Sequence, residues 1–247
     1  MSECHRATGA NDVKDVFLTM TTDADKRCAA ELAVAEIADD MLVGLGTGST
    51  AAHAIHAIGA RVRSGLRIAA VATSAASATL AVANGITVRD FAEVTRLDLA
   101  IDGVDEIDDR FFAIKGAGGA MLREKLVAVA ADRMIAIADG SKRVARIGAA
   151  AVPVEILPFA QASLVQALGR IGPAMLRMAG DVPYRTDQQN FVVDCHFPQV
   201  DDPPRLAAML DAMPGVLAHG LFLREIDAAY IATAGVVTRL ERSGASD

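Results

Sequence analysis

Residues 97–125 read LDLAIDGVDEIDDRFFAIKGAGGAMLREK. The apolar run Leu97–Ile101 predicts a buried strand, and Asp102 stands where that strand would end. In open parallel sheets, ligands bind outside the carboxyl ends of the strands. Acids delivered to that edge, then glycines that bring backbone N–H groups close, point to a site for an oxygen-rich ligand. A second strand at Phe111–Lys115 and a helix at Ala120–Ala130 complete the segment.

Working outward, the same alternation recurs. Helix Asp25–Ala38, strand Met41–Leu45, helix Thr50–Ile58 and strand Leu66–Thr73 are expected before it. Helix Ser77–Asn84 and strand Ile86–Arg89, after the Asn84-Gly85 turn, follow these, and strand Met134–Ala138 comes after the segment. Strands alternating with helices of this length imply βαβ units and a mainly parallel sheet. The rhythm changes after Ala150, where Pro153, Pro158, Gly172 and Pro173 punctuate the chain. Strand Phe191–Phe197, helix Pro204–Met213 and strand Val216–Phe222 suggest a compact α+β insert. The apolar tail Ala228–Arg239 reads as a return to the first unit. The expected fold is therefore α/β: a mainly parallel sheet over residues 23–150 and 223–247, and a smaller α+β insert over 151–222. Residues 1–22 are read as a flexible leader, with Met20 an alternative start.

Composition narrows the class. The chain has 247 residues, 52% apolar and 4% aromatic with no Trp, so its core is aliphatic. A net charge of −7 without a basic block argues against nucleic acid or an anionic membrane as partner. Cys4, Cys28 and Cys195 are widely spaced, with neither zinc spacing nor a disulfide framework, which fits a reducing cytoplasm. No apolar run approaches membrane-spanning length, and the first residues lack the order of a signal peptide.

Strand Met41–Leu45 leads into Gly46-Thr47-Gly48-Ser49-Thr50 and a helix. Free N–H groups and the helix dipole make such an end a phosphate site; equally, Ser49 or Thr50 can simply cap the helix. A dinucleotide fold wants an acidic residue at the end of the next strand, but Ala72-Thr73-Ser74 stands there. A nucleoside-triphosphate loop needs Gly-Lys-Ser/Thr, and no Lys is present. In the acidic loop, Asp102 and Asp105 can face one hydroxylated ligand, whereas Asp108 and Asp109 read as a solvated turn. Lys115 before Gly116-Ala117-Gly118-Gly119 can stabilise developing negative charge, or be a surface lysine before a turn. Glu124 can be an exposed helix residue or a base that moves a proton between two carbons. His53 and His56 have i, i+3 spacing but no third ligand nearby, so no metal is expected.

Taken together, Gly44–Thr50 (GLGTGST), Asp102–Asp108 (DGVDEID), Lys115–Lys125 (KGAGGAMLREK) and Asp139–Lys142 (DGSK) resemble the type A ribose-5-phosphate isomerases, across roughly residues 23–240. The resemblance implies interconversion of ribose 5-phosphate and ribulose 5-phosphate through an enediolate, in the pentose phosphate pathway. It also implies a Rossmann-like main domain with a small α+β, ferredoxin-like insert, no metal or other cofactor, and a homodimer or homotetramer. By position, Thr47, Gly48, Ser49 and Thr50 resemble the family's substrate loop. Asp102, Gly103, Val104 and Asp105 resemble its second segment, and Lys115, Gly116, Ala117 and Gly118 its third. Glu124 falls on the proton acceptor, with Asp102 and Lys115 beside it in catalysis. Lys142 falls on a substrate-binding lysine and Lys26 on a lysine near the phosphate. Ala117 stands where some members have glycine. Two other readings remain: a sugar-phosphate sensor, for which the roughly 40 residues before the first strand are too few to hold a DNA-binding module and linker, and a CoA-transferase-like enzyme with a nucleophilic Glu.

Overall fold

The computed structural model describes residues 10–197 and 200–243. In chain order, helix α1 (Ala10–Val34) precedes β1 (Leu42–Leu45), α2 (Ser49–Arg63), β2 (Ala69–Ala72), α3 (Ala75–Ala83) and β3 (Thr87–Val88). Next come β4 (Leu99–Gly103), β5 (Glu106–Ile107), β6 (Ala113–Ile114), α4 (Met121–Ala130) and β7 (Met134–Asp139). The insert region holds β8 (Val152–Ile156), α5 (Gln161–Gly169), β9 (Ala174–Leu176), β10 (Met178–Ala179), β11 (Val182–Pro183), β12 (Phe191–Cys195), α6 (Pro203–Asp211) and β13 (Val216–His219). The chain closes with β14 (Leu221–Phe222), β15 (Ala228–Thr233) and β16 (Val236–Glu241).

The seven-stranded sheet runs β16-β15-β7-β4-β1-β2-β3, all parallel except β16. Helices cover it, so β4 and β7 are buried on both faces and read as near-continuous apolar runs. The chain steps from β1 outward to β2 and β3, then returns to place β4 on the other side of β1. Strand order therefore reverses between β1 and β4, which opens a crevice at their carboxyl ends. Close approach of α4 needs small residues: a Cβ on Gly44 would lie 2.5 Å from Val127 Cγ1.

A four-stranded antiparallel sheet, β13-β8-β12-β9, carries α5 and α6 in the order strand-helix-strand-strand-helix-strand. That order and connectivity are ferredoxin-like. Its aliphatic cluster includes Val154, Ile156, Leu164, Leu168, Val193 and Leu210. A three-stranded sheet, β14-β6-β5, joins the β4–β7 connection to the segment between β13 and β15.

Three details differ from the sequence reading. Helix α1 begins at Ala10, so residues 10–22 of the expected leader belong to it; residues 1–9 lie outside the described residues, as does Cys4. The strand expected at Val216–Phe222 breaks at Gly220. A Cβ there would meet the Lys115 carbonyl oxygen at 2.2 Å, and Lys115 N donates to Gly220 O at 2.9 Å. The apolar tail is a hairpin, with β15 parallel to β7. Its Ala234-Gly235 turn has φ of 49° and 81°, the left-handed pair of a tight hairpin. Both turn N–H groups donate to the buried Asp25 carboxylate, at 3.0 and 2.7 Å. This contact fixes α1 beside the hairpin and sets the place of the neighbouring Lys26.

Candidate active site

The crevice between β1 and β4 holds a cavity of about 230 Å³. Its lining is Lys26, Thr47, Gly48, Ser49, Thr50, Gly103, Val104, Asp105, Lys115, Gly116, Ala117, Gly118, Glu124 and Lys142. Every candidate residue singled out from the sequence is on this wall except Asp102, which lies buried beneath it and pairs with Lys115. Six separate stretches of chain thus converge: α1, the loops after β1, β4, β6 and β7, and the first turn of α4.

One end offers donors near solvent. Gly48, with φ of 102°, is the N-cap of α2, and no side chain caps the helix. Ser49 and Thr50 therefore do not serve as caps, and the uncapped N–H groups keep their partial positive charge. Lys26 Nζ donates to Ser49 Oγ at 3.2 Å, bringing a cation to that end. The Thr47 hydroxyl is held by Thr73 at 2.8 Å and Ser74 at 2.9 Å, the latter also the N-cap of α3.

The opposite end is a buried charge cluster. Lys115 Nζ lies 2.8 Å from Asp102 Oδ2 and 3.3 Å from Glu124 Oε2, with all three side chains at most 5% exposed. Nζ also donates to the Gly103 carbonyl. Asp102 Oδ1 accepts from Gly103 N at 2.7 Å and Thr47 N at 3.1 Å. Gly46 permits this approach, since a Cβ there would sit 1.9 Å from Asp102 Oδ1.

Two carboxylates and one ammonium cannot all be charged in a dry pocket without cost. Burial, then the Asp102 charge, pushes the Glu124 carboxyl up to about 8, with Lys115 opposing. Burial also raises Asp102, against the pull of Lys115 and the two N–H groups. Burial favours the neutral amine of Lys115, but Asp102 and Glu124 outweigh it and hold the ammonium above its ordinary range. Asp102 has the shorter ion pair and two backbone donors, so it keeps its charge more readily. A carboxyl pushed up to about 8 is poised to exchange a proton near neutral pH, the property a general base requires.

Asp105 accepts from Ala117 N at 3.0 Å and so ties the β4 loop to the glycine loop. Asp108 is not in a solvated turn: it is buried and accepts from Arg110 N at 2.9 Å, Phe112 N at 3.2 Å and the Arg110 guanidinium at 2.6 Å. A short side chain folding onto its own turn satisfies those donors. Asp109 is exposed and pairs with Arg143 at 2.8 Å. His53 binds Asp23 at 2.9 Å and His56 binds Asn84 at 3.2 Å. Among the described residues no group of three or more His, Cys, Asp or Glu gathers to hold a metal.

Sequence reasoning missed the far side of the glycine loop. Arg177 and Tyr184, on the small sheet and its hairpin, donate to the carbonyls of residues 116–118. A lone Arg and a lone Tyr some 60 residues downstream carry no local signal; only the tertiary pairing reveals them.

Comparison with known proteins agrees with this geometry. The family model for ribose 5-phosphate isomerase A (phosphoriboisomerase A) matches residues 69–235. The ribose-5-phosphate isomerase A of Sphingopyxis alaskensis is 48% identical over 215 residues, 87% of this chain and 94% of that protein. The solved ribose 5-phosphate isomerase of Plasmodium falciparum superposes with a TM-score of 0.86 at 33% identity, covering 90% of this chain and 99% of that one. A D-ribose-5-phosphate isomerase solved in complex with phospho-erythronic acid gives 0.87 at 35% identity, covering 90% and 99%. On sequence and architecture together, the chain belongs to the ribose 5-phosphate isomerase A family.

Proposed function

We propose that Glu124 is the base of this isomerase and carries one proton between C2 and C1 of the sugar phosphate. The chain interconverts D-ribose 5-phosphate and D-ribulose 5-phosphate, the reaction its family is named for. The observation that carries the proposal is the buried Glu124 beside the Lys115 ammonium, at the foot of a cavity whose other end is rich in donors. In the open-chain aldose, the Glu124 carboxylate takes the C2 proton, and the C2–H electrons form the C1–C2 double bond of an enediolate. Negative charge grows on O1, where Lys115 and N–H groups of the 116–118 loop hold it. The O2 hydroxyl yields its proton and O1 gains one, with Asp102 beside the oxygens for ring opening and this exchange. Glu124 then returns its proton to C1, leaving the C2 ketone.

Lys26, Ser49, Thr50, Lys142 and the N-terminus of α2 hold the phosphate. They touch neither C1 nor C2, so their binding energy goes into orientation. Gly103, Val104 and Asp105 line the sugar between the two ends. The residues 151–222 form a small α+β unit set into the one built from 23–150 and 223–247, a division that their separate seven- and four-stranded sheets support, with β14 and Ile114 joining the two units. A homodimer or homotetramer is the reading that membership of the family supports, and the exposed Phe159 and Met175 are apolar side chains that such an interface would cover. No helix among the described residues is long and apolar enough to cross a membrane; with the free thiols Cys28 and Cys195 and a net charge of −7, the reading is a cytoplasmic enzyme without a nucleic-acid partner. The test is product formation from purified protein and ribose 5-phosphate with no CoA or nicotinamide added. Ribulose 5-phosphate is expected; no turnover, or turnover only with CoA, would overturn the assignment.

A further inference from the structure

The Lys115–Gly119 loop is gripped on the side away from the cavity. Arg177 Nη1 donates to Ala117 O at 3.0 Å and Gly116 O at 3.3 Å, and Tyr184 Oη donates to Gly118 O at 3.2 Å. Three successive carbonyls are thus drawn toward the small sheet. Arg177 is itself fixed: Nε and Nη2 bind the two carboxylate oxygens of Asp194 at 2.8 and 2.5 Å, and its guanidinium stacks 5.6 Å from the Tyr184 ring centre. Its own N–H, one residue past the end of β9, is paired with Val192 O of β12 at 2.8 Å. Contact is close enough that a Cβ on Gly119 would lie 2.5 Å from the Tyr184 hydroxyl.

A planar trans peptide points its N–H opposite to its C=O. Drawing the carbonyls of residues 116–118 outward therefore turns the N–H groups of residues 117–119 the other way. The first reaches Asp105 and the third closes the turn onto Gly116 O at 2.9 Å. The middle one, on Gly118, belongs to the peptide whose carbonyl Arg177 holds most closely, and Gly118 lines the cavity. A guanidinium on the carbonyl also polarises that peptide and strengthens its N–H as a donor.

We propose that Arg177, locked by Asp194 and backed by Tyr184, is a positioning residue for the reaction: it holds the 117–118 peptide so that Gly118 N–H meets the enediolate oxygen. The inference rests on the isomerase reading above. It makes the small sheet a working part of the active site, since a residue that never touches the sugar sets the direction of a donor that does.

The test compares wild type with Arg177→Ala, Arg177→Lys and Tyr184→Phe on ribose 5-phosphate. Two competitive inhibitors are used: a planar carboxylate analogue of the enediolate and a sugar-alcohol phosphate, both with the same phosphate. Deleting an oxyanion donor costs about 10²–10³ in kcat, and a donor misdirected rather than deleted is expected to cost about tenfold or somewhat more. Arg177→Ala should lower kcat by that factor with KM nearly unchanged. The enediolate analogue should weaken in step with kcat/KM while the sugar alcohol keeps its affinity, as differential transition-state binding requires. Arg177→Lys should lie between, and Tyr184→Phe should show a smaller loss of the same kind. A raised KM at unchanged kcat, or equal weakening of both inhibitors, would overturn the proposal. If Arg177→Ala does not fold, the other two variants decide, and wild-type kcat in both overturns it. A wild type inert on ribose 5-phosphate would instead refute the isomerase reading.

Discussion

The two ends of the cavity are built on opposite physical plans. The Gly46–Thr50 end works near water, with backbone N–H groups, hydroxyls and a lysine on exposed or half-buried residues, Gly46 apart. The Asp102–Lys115–Glu124 end is dry, with three ionisable side chains almost wholly buried. An anchor for a phosphate needs only donors of the right sign, and solvent lowers the cost of assembling them. A proton carrier needs a shifted pKa, and burial supplies the shift. Loss at the dry end should therefore stop the chemistry, whereas loss at the wet end should loosen the grip.

The largest effect is expected from Glu124→Gln, which keeps shape and loses the base. General-base loss typically costs about 10²–10⁴ in rate, so kcat should collapse while substrate still binds. Turnover near wild type in the folded variant would remove Glu124 from its role.

Lys142→Ala probes the wet end. A charge-assisted contact is worth roughly 1.5–3 kcal/mol, so kcat/KM for ribose 5-phosphate should fall by about 10- to 150-fold. Free ribose should be a far poorer substrate of the wild type, yet nearly indifferent to the substitution, because it never made the contact. Equal harm to both sugars would put Lys142 at the reacting end or in folding.

A smaller, graded effect is expected with pH. As the proposed base, Glu124 works only when deprotonated, and its carboxyl is pushed up to about 8. The kcat/KM should therefore fall as pH drops below that value, in proportion to the deprotonated fraction. Stability carries the opposite sign. A carboxyl raised in the folded state binds its proton more tightly there than in the unfolded chain. Its contribution is thus greatest below the ordinary 4.5 and is lost as pH rises toward 8. The melting temperature of Glu124→Gln relative to wild type should rise across that window and level off above it. A difference independent of pH would show that burial does not burden this carboxyl.

The same contrast explains what could be read in the sequence. The β–α rhythm and the presence of an α+β insert were legible because they rest on local periodicity and punctuation. The wet end was legible because its donors are consecutive, Gly46 to Thr50. The dry end was legible only in part: Asp102, Lys115 and Glu124 stand within 23 positions in the chain, but their shared burial comes from the β1–β4 crossover and from Gly46 and Gly220, which admit the Asp102 carboxylate and the Lys115 backbone. Asp108 was misread because an acidic run looks solvated until Arg110 and Phe112 fold onto it. Arg177 and Tyr184 left no trace, since a side chain aimed at a distant carbonyl has no sequence period.

The most direct test of proton transfer at Glu124 is the fate of the C2 hydrogen in D₂O. Wild-type protein is run on ribose 5-phosphate, and the hydrogen at C1 of the ribulose 5-phosphate is read by NMR. A proton carried by a carboxylate exchanges with solvent, so deuterium at C1 is expected, appearing far more slowly with Glu124→Gln. Protium passed from C2 to C1 without exchange over many turnovers would contradict a solvent-open proton shuttle at Glu124 and point instead to a hydride shift or a base sealed completely from water.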